Sequence, residues 1–150
     1  MIRGIACIKA CTGPFTDEVL LDYEDRHRRR VMMCGNAGTR FLLDLSDVPD
    51  MRDGDGIKLS SGHVVRVRSA LEPLMEFRCP DAKTLVRIAW HIGNRHVPAE
   101  IREDGLRIRA DTVIATMVQR LGGRVRSLEG AFNPEPGAYA TAHNRDHSHE

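Results

Sequence analysis

The residues in this sequence best suited to chemistry are its histidines. There are seven, His27, His63, His91, His96, His143, His147 and His149, and the last three fall within the final eight residues. A neutral imidazole offers a lone pair that suits divalent zinc, copper and nickel. Three of them on one polar segment can close on an ion without distorting any packed element. His96 stands apart, in Gly93-Asn94-Arg95-His96-Val97-Pro98, an irregular stretch between a helix and a strand that holds an imidazole at a surface. One imidazole is not a site, because a transition ion takes about four to six ligands, but a two-fold axis beside His96 would present it twice. His91 lies about 110° from the apolar stripe of its helix and reads as a flank residue.

Other chemistry is sparse. The sequence contains no G-x-x-x-x-G-K-[ST] phosphate loop, no G-x-S-x-G elbow and no H-E-x-x-H zinc helix. Nothing therefore points to an enzyme. Cys7, Cys11, Cys34 and Cys79 form no C-x-x-C pair and read as free, mostly buried thiols, with Cys7 and Cys11 as metal ligands the alternative. Asp53-Gly54-Asp55-Gly56 lacks the spaced acidic ligands of a calcium loop and reads as a turn. The run Arg26-His27-Arg28-Arg29-Arg30 reads as a solvated strand face balanced by Asp22, Glu24 and Asp25, with a protein-docking surface as an alternative. The competing reading is a nucleic-acid-binding module that uses Arg26 to Arg30. It is weakened because no RNA-stacking motif occurs and aromatic residues make up only 5% of the chain.

The elements that must position these residues follow from periodicity. With 150 residues, 41% hydrophobic and 29% charged, the chain suits one compact domain or two small ones. A net charge of +1 gives no global field for nucleic acid or membrane. No run approaches the ~20 apolar residues that cross a bilayer, and Met1 to Gly13 carries no cleavage signature, so a cytoplasmic location is expected. Short strand-like pieces at Val19–Tyr23, Arg29–Met33, Arg40–Leu45, Ile57–Ser60 and Val64–Val67, divided by glycine-bearing turns, predict an all-β half closed as a small sandwich or open barrel. After Ala70 the period changes. Leu74–Cys79 reads as a strand. Asp81 then caps a helix with Leu85, Ile88, Ala89 and Ile92 on one face, ended by Gly93-Asn94. A hairpin through Asp104-Gly105 follows, joining Ala99–Glu103 to Leu106–Arg109. Asp111 caps a second helix with Val113, Ile114, Met117, Val118 and Leu121 on its apolar face, and Arg124–Leu128 is the last strand. The order β-α-β-β-α-β predicts a ferredoxin-like arrangement. The fold class expected is thus α+β, with a β-rich domain over residues 1–70, a ferredoxin-like domain over 71–136 and a flexible tail over 137–150.

Several stretches together resemble the urease accessory protein UreE family of nickel metallochaperones. They are Asp25-Arg26 with Arg28-Arg29-Arg30, Phe41-Leu42-Leu43-Asp44-Leu45, Arg52-Asp53-Gly54-Asp55, Ala89-Trp90-His91-Ile92-Gly93-Asn94-Arg95-His96-Val97-Pro98, and Pro134-Glu135-Pro136-Gly137-Ala138-Tyr139. The Gly-Asn-Arg-His-x-Pro core is the most specific of them. The resemblance implies a peptide-binding-like β domain followed by a ferredoxin-like metal-binding domain, in a homodimer. It implies that Ni(II) is cargo held at the dimer interface by His96 of each chain and passed to the GTPase UreG and the urease apoprotein assembly complex. Zn(II) or Cu(II) would compete for the same ligands. His143, His147 and His149 match the family's tail ligands loosely. Where some relatives carry His-x-His at the second helix, this chain has Ala110 and Thr112.

Overall fold

A computed structural model of the chain describes residues 1–137. The chain divides into two compact units, Met1–Glu72 and Pro73–Glu150.

The first unit is a six-stranded mixed sheet built from β1 (Arg3–Ile8), β2 (Asp17–Leu21), β3 (Arg30–Cys34), β4 (Arg40–Asp44), β5 (Gly56–Leu59) and β6 (Val64–Ser69), in the order β2-β6-β5-β1-β4-β3. Alternation along each strand sends Val19 and Leu21, Phe41 and Leu43, Ile57 and Leu59, and Val65 and Val67 to one core, which Met33, Leu45 and Met51 complete. Each such side chain contributes about 1.5–3 kcal/mol by leaving water. The expected strands are present with ends shifted by one or two residues. One more was not expected. β1 runs parallel to β4 and antiparallel to β5, which makes it a central strand. Its one fully buried residue is Gly4, where a Cβ would meet Ile57 Cγ2 at 3.0 Å and Leu43 Cδ1 at 3.1 Å, so the space is already filled from neighbouring strands. Gly38, Gly54 and Gly62 take the positive φ angles of the predicted turns.

The second unit has the predicted β-α-β-β-α-β order: β7 (Leu71–Arg78), α1 (Ala82–Asn94), β8 (Glu100–Arg102), β9 (Gly105–Arg109), α2 (Thr112–Arg120) and β10 (Arg124–Ala131). Its sheet order is β10-β7-β9-β8, in which the outer strands of the sequence sit together at one side, as in a ferredoxin-like fold. Phe77, Leu106 and Ile108 on one sheet face pack with Ile88 and Ile92 of α1 and Ile114 and Val118 of α2. The helical stripes are narrower than periodicity suggests. Ala89 and Val113, expected in the core, are exposed, Val113 to 66%. No helix among the described residues is long and apolar enough to cross a membrane. Apart from Gly137, the expected tail lies outside the described residues, and His143, His147 and His149 lie there with it.

Candidate metal centre

His96 is placed by the way α1 ends. At its start the Asp81 carboxylate accepts from Thr84 N at 2.7 Å, as the sequence predicts. At its end Gly93 and Asn94 are the last two residues, as the sequence predicts. The capping bonds come from the residues just beyond. His96 N donates to Gly93 O at 3.0 Å and Val97 N donates to Ile92 O at 3.3 Å, the two crossing bonds of a Schellman motif. His96 occupies the left-handed position of that motif, with φ +56°, where glycine is the usual residue. Val97 packs against the core that holds Ile92, and Pro98 prevents the helix from resuming. The loop is thus pinned on both sides of His96, and the imidazole is exposed. The His96 side chain stands at a left-handed position and is exposed to solvent.

The surroundings are apolar for a surface. Trp90, one turn before the loop, is 62% exposed. Arg95 lines a cleft of about 480 Å³ with Val113, Thr116, Met117, Arg120 and Leu121. Val97 and Pro98 line another of about 260 Å³ with Ala89, Ile92, Ile101 and Glu135. The end of the described chain returns to this place. Phe132 and Pro134 are buried, and Glu135 N donates to Ala99 O at 2.8 Å. Ala99 follows His96 by three residues, so Glu135 is fastened to a residue within about 11 Å of the His96 backbone. Among the described residues no three His, Cys, Asp or Glu side chains converge on one point.

Three other histidines lie among the described residues. His27 Nε2 lies 3.0 Å from Asp50 Oδ1, and its Nδ1 lies 2.7 Å from Tyr23 O. His63 is exposed in the β5–β6 turn, and half-buried His91 stands edge-on to Trp90 with ring centroids 5.0 Å apart. The cysteines are free, but none is fully buried as expected, and Cys34 is exposed. The basic run also departs from expectation. Residues Asp25–His27 form a short 3-10 helix rather than a strand face, and Arg26 is only 1% exposed. Its guanidinium donates to Asp22 O and to Ser69 Oγ. Arg28 pairs with Glu24 and Asp25, Arg29 donates to Leu45 O, and Arg30 pairs with Asp44. Of the run, Arg26 is buried while Arg28, Arg29 and Arg30 are exposed.

Two carboxylates organise the first unit. Asp55 accepts from Ala10 N, Arg52 N and Lys9 Nζ, so this carboxylate of the turn is engaged by two backbone amides and a lysine. Asp17 accepts from Glu18 N, Ala37 N and Thr39 N. Burial alone would raise its pKa, but the hydrogen bonds from Ala37, Thr39 and Glu18 outweigh that and hold it at about 2. A side chain at Gly35 would collide with this carboxylate, which is why a glycine stands there.

Comparison with known proteins agrees with this architecture. The family model described as UreE urease accessory protein, N-terminal domain, matches residues 8–70, and the C-terminal domain model of the same family matches residues 72–150. The urease accessory protein UreE of Rhodopseudomonas palustris (strain BisB18) is 52% identical over 133 residues, 89% of this chain and 63% of that protein. That of Beijerinckia indica is 49% identical over 136 residues, 91% of this chain and 79% of the relative. For Chelativorans sp. the identity is 48% over 150 residues, 99% and 94%. The chain spans about three fifths of the length of some relatives, 63% and 60% for the two from Rhodopseudomonas palustris.

Proposed function

The chain belongs to the UreE urease accessory protein family, and from that membership and the His96 loop we propose that it is a nickel carrier for urease assembly. It acts in the cytoplasm as an accessory protein and makes or breaks no covalent bond in a substrate. Ni(II) is its cargo. Two chains pair around the loop, and His96 of each supplies a central ligand. His143, His147 and His149 complete the shell. An open, exchangeable shell of imidazoles lets partner ligands displace it stepwise, which is the act of delivery. The receivers are the GTPase UreG and the urease apoprotein assembly complex. Zn(II) and Cu(II) compete in vitro, since copper exceeds nickel for such ligands in the Irving–Williams order.

One observation carries this reading: an exposed imidazole fixed at a left-handed helix end where glycine would be easier. Exposed Trp90 on α1 and Val113 on α2 supply apolar surface that pairing would remove from water. The fastening of Glu135 to Ala99 supports the tail's part. From Gly137 to His143 is a reach of up to about 20 Å, enough to return to the loop. The test is native mass spectrometry of the full chain during nickel titration. The reading expects a dimer that takes up a first ion per two chains. Nickel on monomers, or no uptake at micromolar metal, contradicts it.

A further inference from the structure

The sheet of the second unit turns only one face to its helices. On the other face stand six arginines: Arg78 of β7, Arg102 of β8, Arg107 and Arg109 of β9, and Arg124 and Arg126 of β10. Register and contacts put them together. Glu76 is paired across the sheet with Arg107, which faces Glu100 on its other side, and Arg78 and Arg102 both oppose Gly105. Arg126 Nη2 reaches Glu76 Oε2 at 2.5 Å, and Arg124 joins Glu76, Arg78 and Arg126 around a cleft of about 380 Å³.

Two carboxylates, Glu76 and Glu100, lie among these arginines, 5% and 8% exposed. Burial would raise the Glu76 pKa, but Arg126 and Arg107 outweigh it and hold the group below its ordinary value. Glu76 pairs with Arg126 and Arg107, and Glu100 lies 3.8 Å from Arg102 Nη1 and 3.9 Å from Arg107 Nη1. They balance only part of the positive charge. Exposed Arg78 and Arg124 form no salt bridge among the described residues. Glu103 and Asp104 bound the face at the β8–β9 turn, so the excess is greatest along β7 and β10.

We propose that this face docks an acidic partner protein, through an extended segment bearing carboxylates at alternate positions. Guanidinium forks match carboxylates in plane and spacing. Alternate residues on β9 or β10 repeat every ~6.7 Å, the same repeat that alternate side chains have on an extended peptide. Nucleic acid fits less well. No described residue of this face is aromatic, since Phe77 points into the helix-side core, so bases have nothing to stack on. The docking uses no nickel ligand and is separate from the carrier reading.

The test uses the full chain and fluorescence anisotropy of a labelled peptide about ten residues long with glutamate and serine alternating, together with an oligothymidylate of equal charge. Binding of the peptide should weaken with salt and fall about tenfold or more in Arg78→Glu/Arg124→Glu, at two exposed positions. Arg78→Gln/Arg124→Gln should give an intermediate loss and guards against a folding failure of the reversal. Trp90 fluorescence and nickel uptake should be unchanged in both variants. No peptide binding at low salt, equal binding by the variants, or tighter binding of the oligothymidylate would overturn the proposal. Loss of nickel uptake in the unsubstituted chain would leave it standing and remove the carrier reading instead.

Discussion

At the scale of single residues, the left-handed φ of His96 makes stability and function separable. His96→Gly relieves the strain and should raise stability by up to about 1 kcal/mol, whereas His96→Ala keeps it and should not. Both remove the imidazole, so both should lose nickel. Denaturant unfolding followed by the fluorescence of Trp90, the one tryptophan, measures the difference in the unit that contains it. Asp17 gives a prediction in pH. Its folded pKa of about 2 lies below the ordinary 3.8, so its contribution is fully present above pH 3.8. That contribution is lost as pH falls through about 2. Asp17→Ala leaves the amides of Glu18, Ala37 and Thr39 without their acceptor and should cost about 1–3 kcal/mol at neutral pH. Acid titration of the variant should show a flatter stability profile over that window.

Two glycines make opposite predictions at the scale of elements. A Cβ at Gly105 would run into the Phe77 carbonyl across the β7–β9 ladder, so Gly105→Ala should destabilise by about 1–3 kcal/mol. Gly93 lies within α1 with open space around it, and Gly93→Ala should stabilise by about 0.5–1 kcal/mol. The Trp90 transition should move down for the first and up for the second. The same glycines show what the sequence made legible. Strands with apolar inward residues, such as Phe41 and Leu43, and helices with a full stripe, such as Ile88 and Ile92, were readable because burial imposes a period. β1 was not, because its one fully buried residue is Gly4 and the core reaches it from neighbouring strands. The end of α1 falls at Gly93-Asn94 as expected, but the left-handed capping position falls on His96, two residues on. Arg26 looked like surface because its charge says so, and only tertiary placement reveals its partners Asp22 and Ser69. His96 was singled out by its motif, but its strained geometry has no signature in composition or spacing.

At the scale of the whole molecule, a shared ion links metal binding to pairing. If Ni(II) bridges two chains, nickel should tighten the dimer by mass action, and dilution should loosen the metal. Sedimentation at several protein concentrations, with and without nickel, checks this. The cysteines stand outside the cycle. Burial pushes the thiols of Cys7 and Cys79 up, which disfavours the thiolate that a metal requires. A chain with all four cysteines replaced by serine should therefore keep its nickel. The central claim, that His96 from two chains holds the cargo, is tested most directly by calorimetric nickel titration of the full chain against His96→Ala. The account predicts a tight site at about one ion per two chains that disappears in the variant while the dimer persists. Tight binding that survives unchanged in a folded, dimeric His96→Ala protein would contradict it.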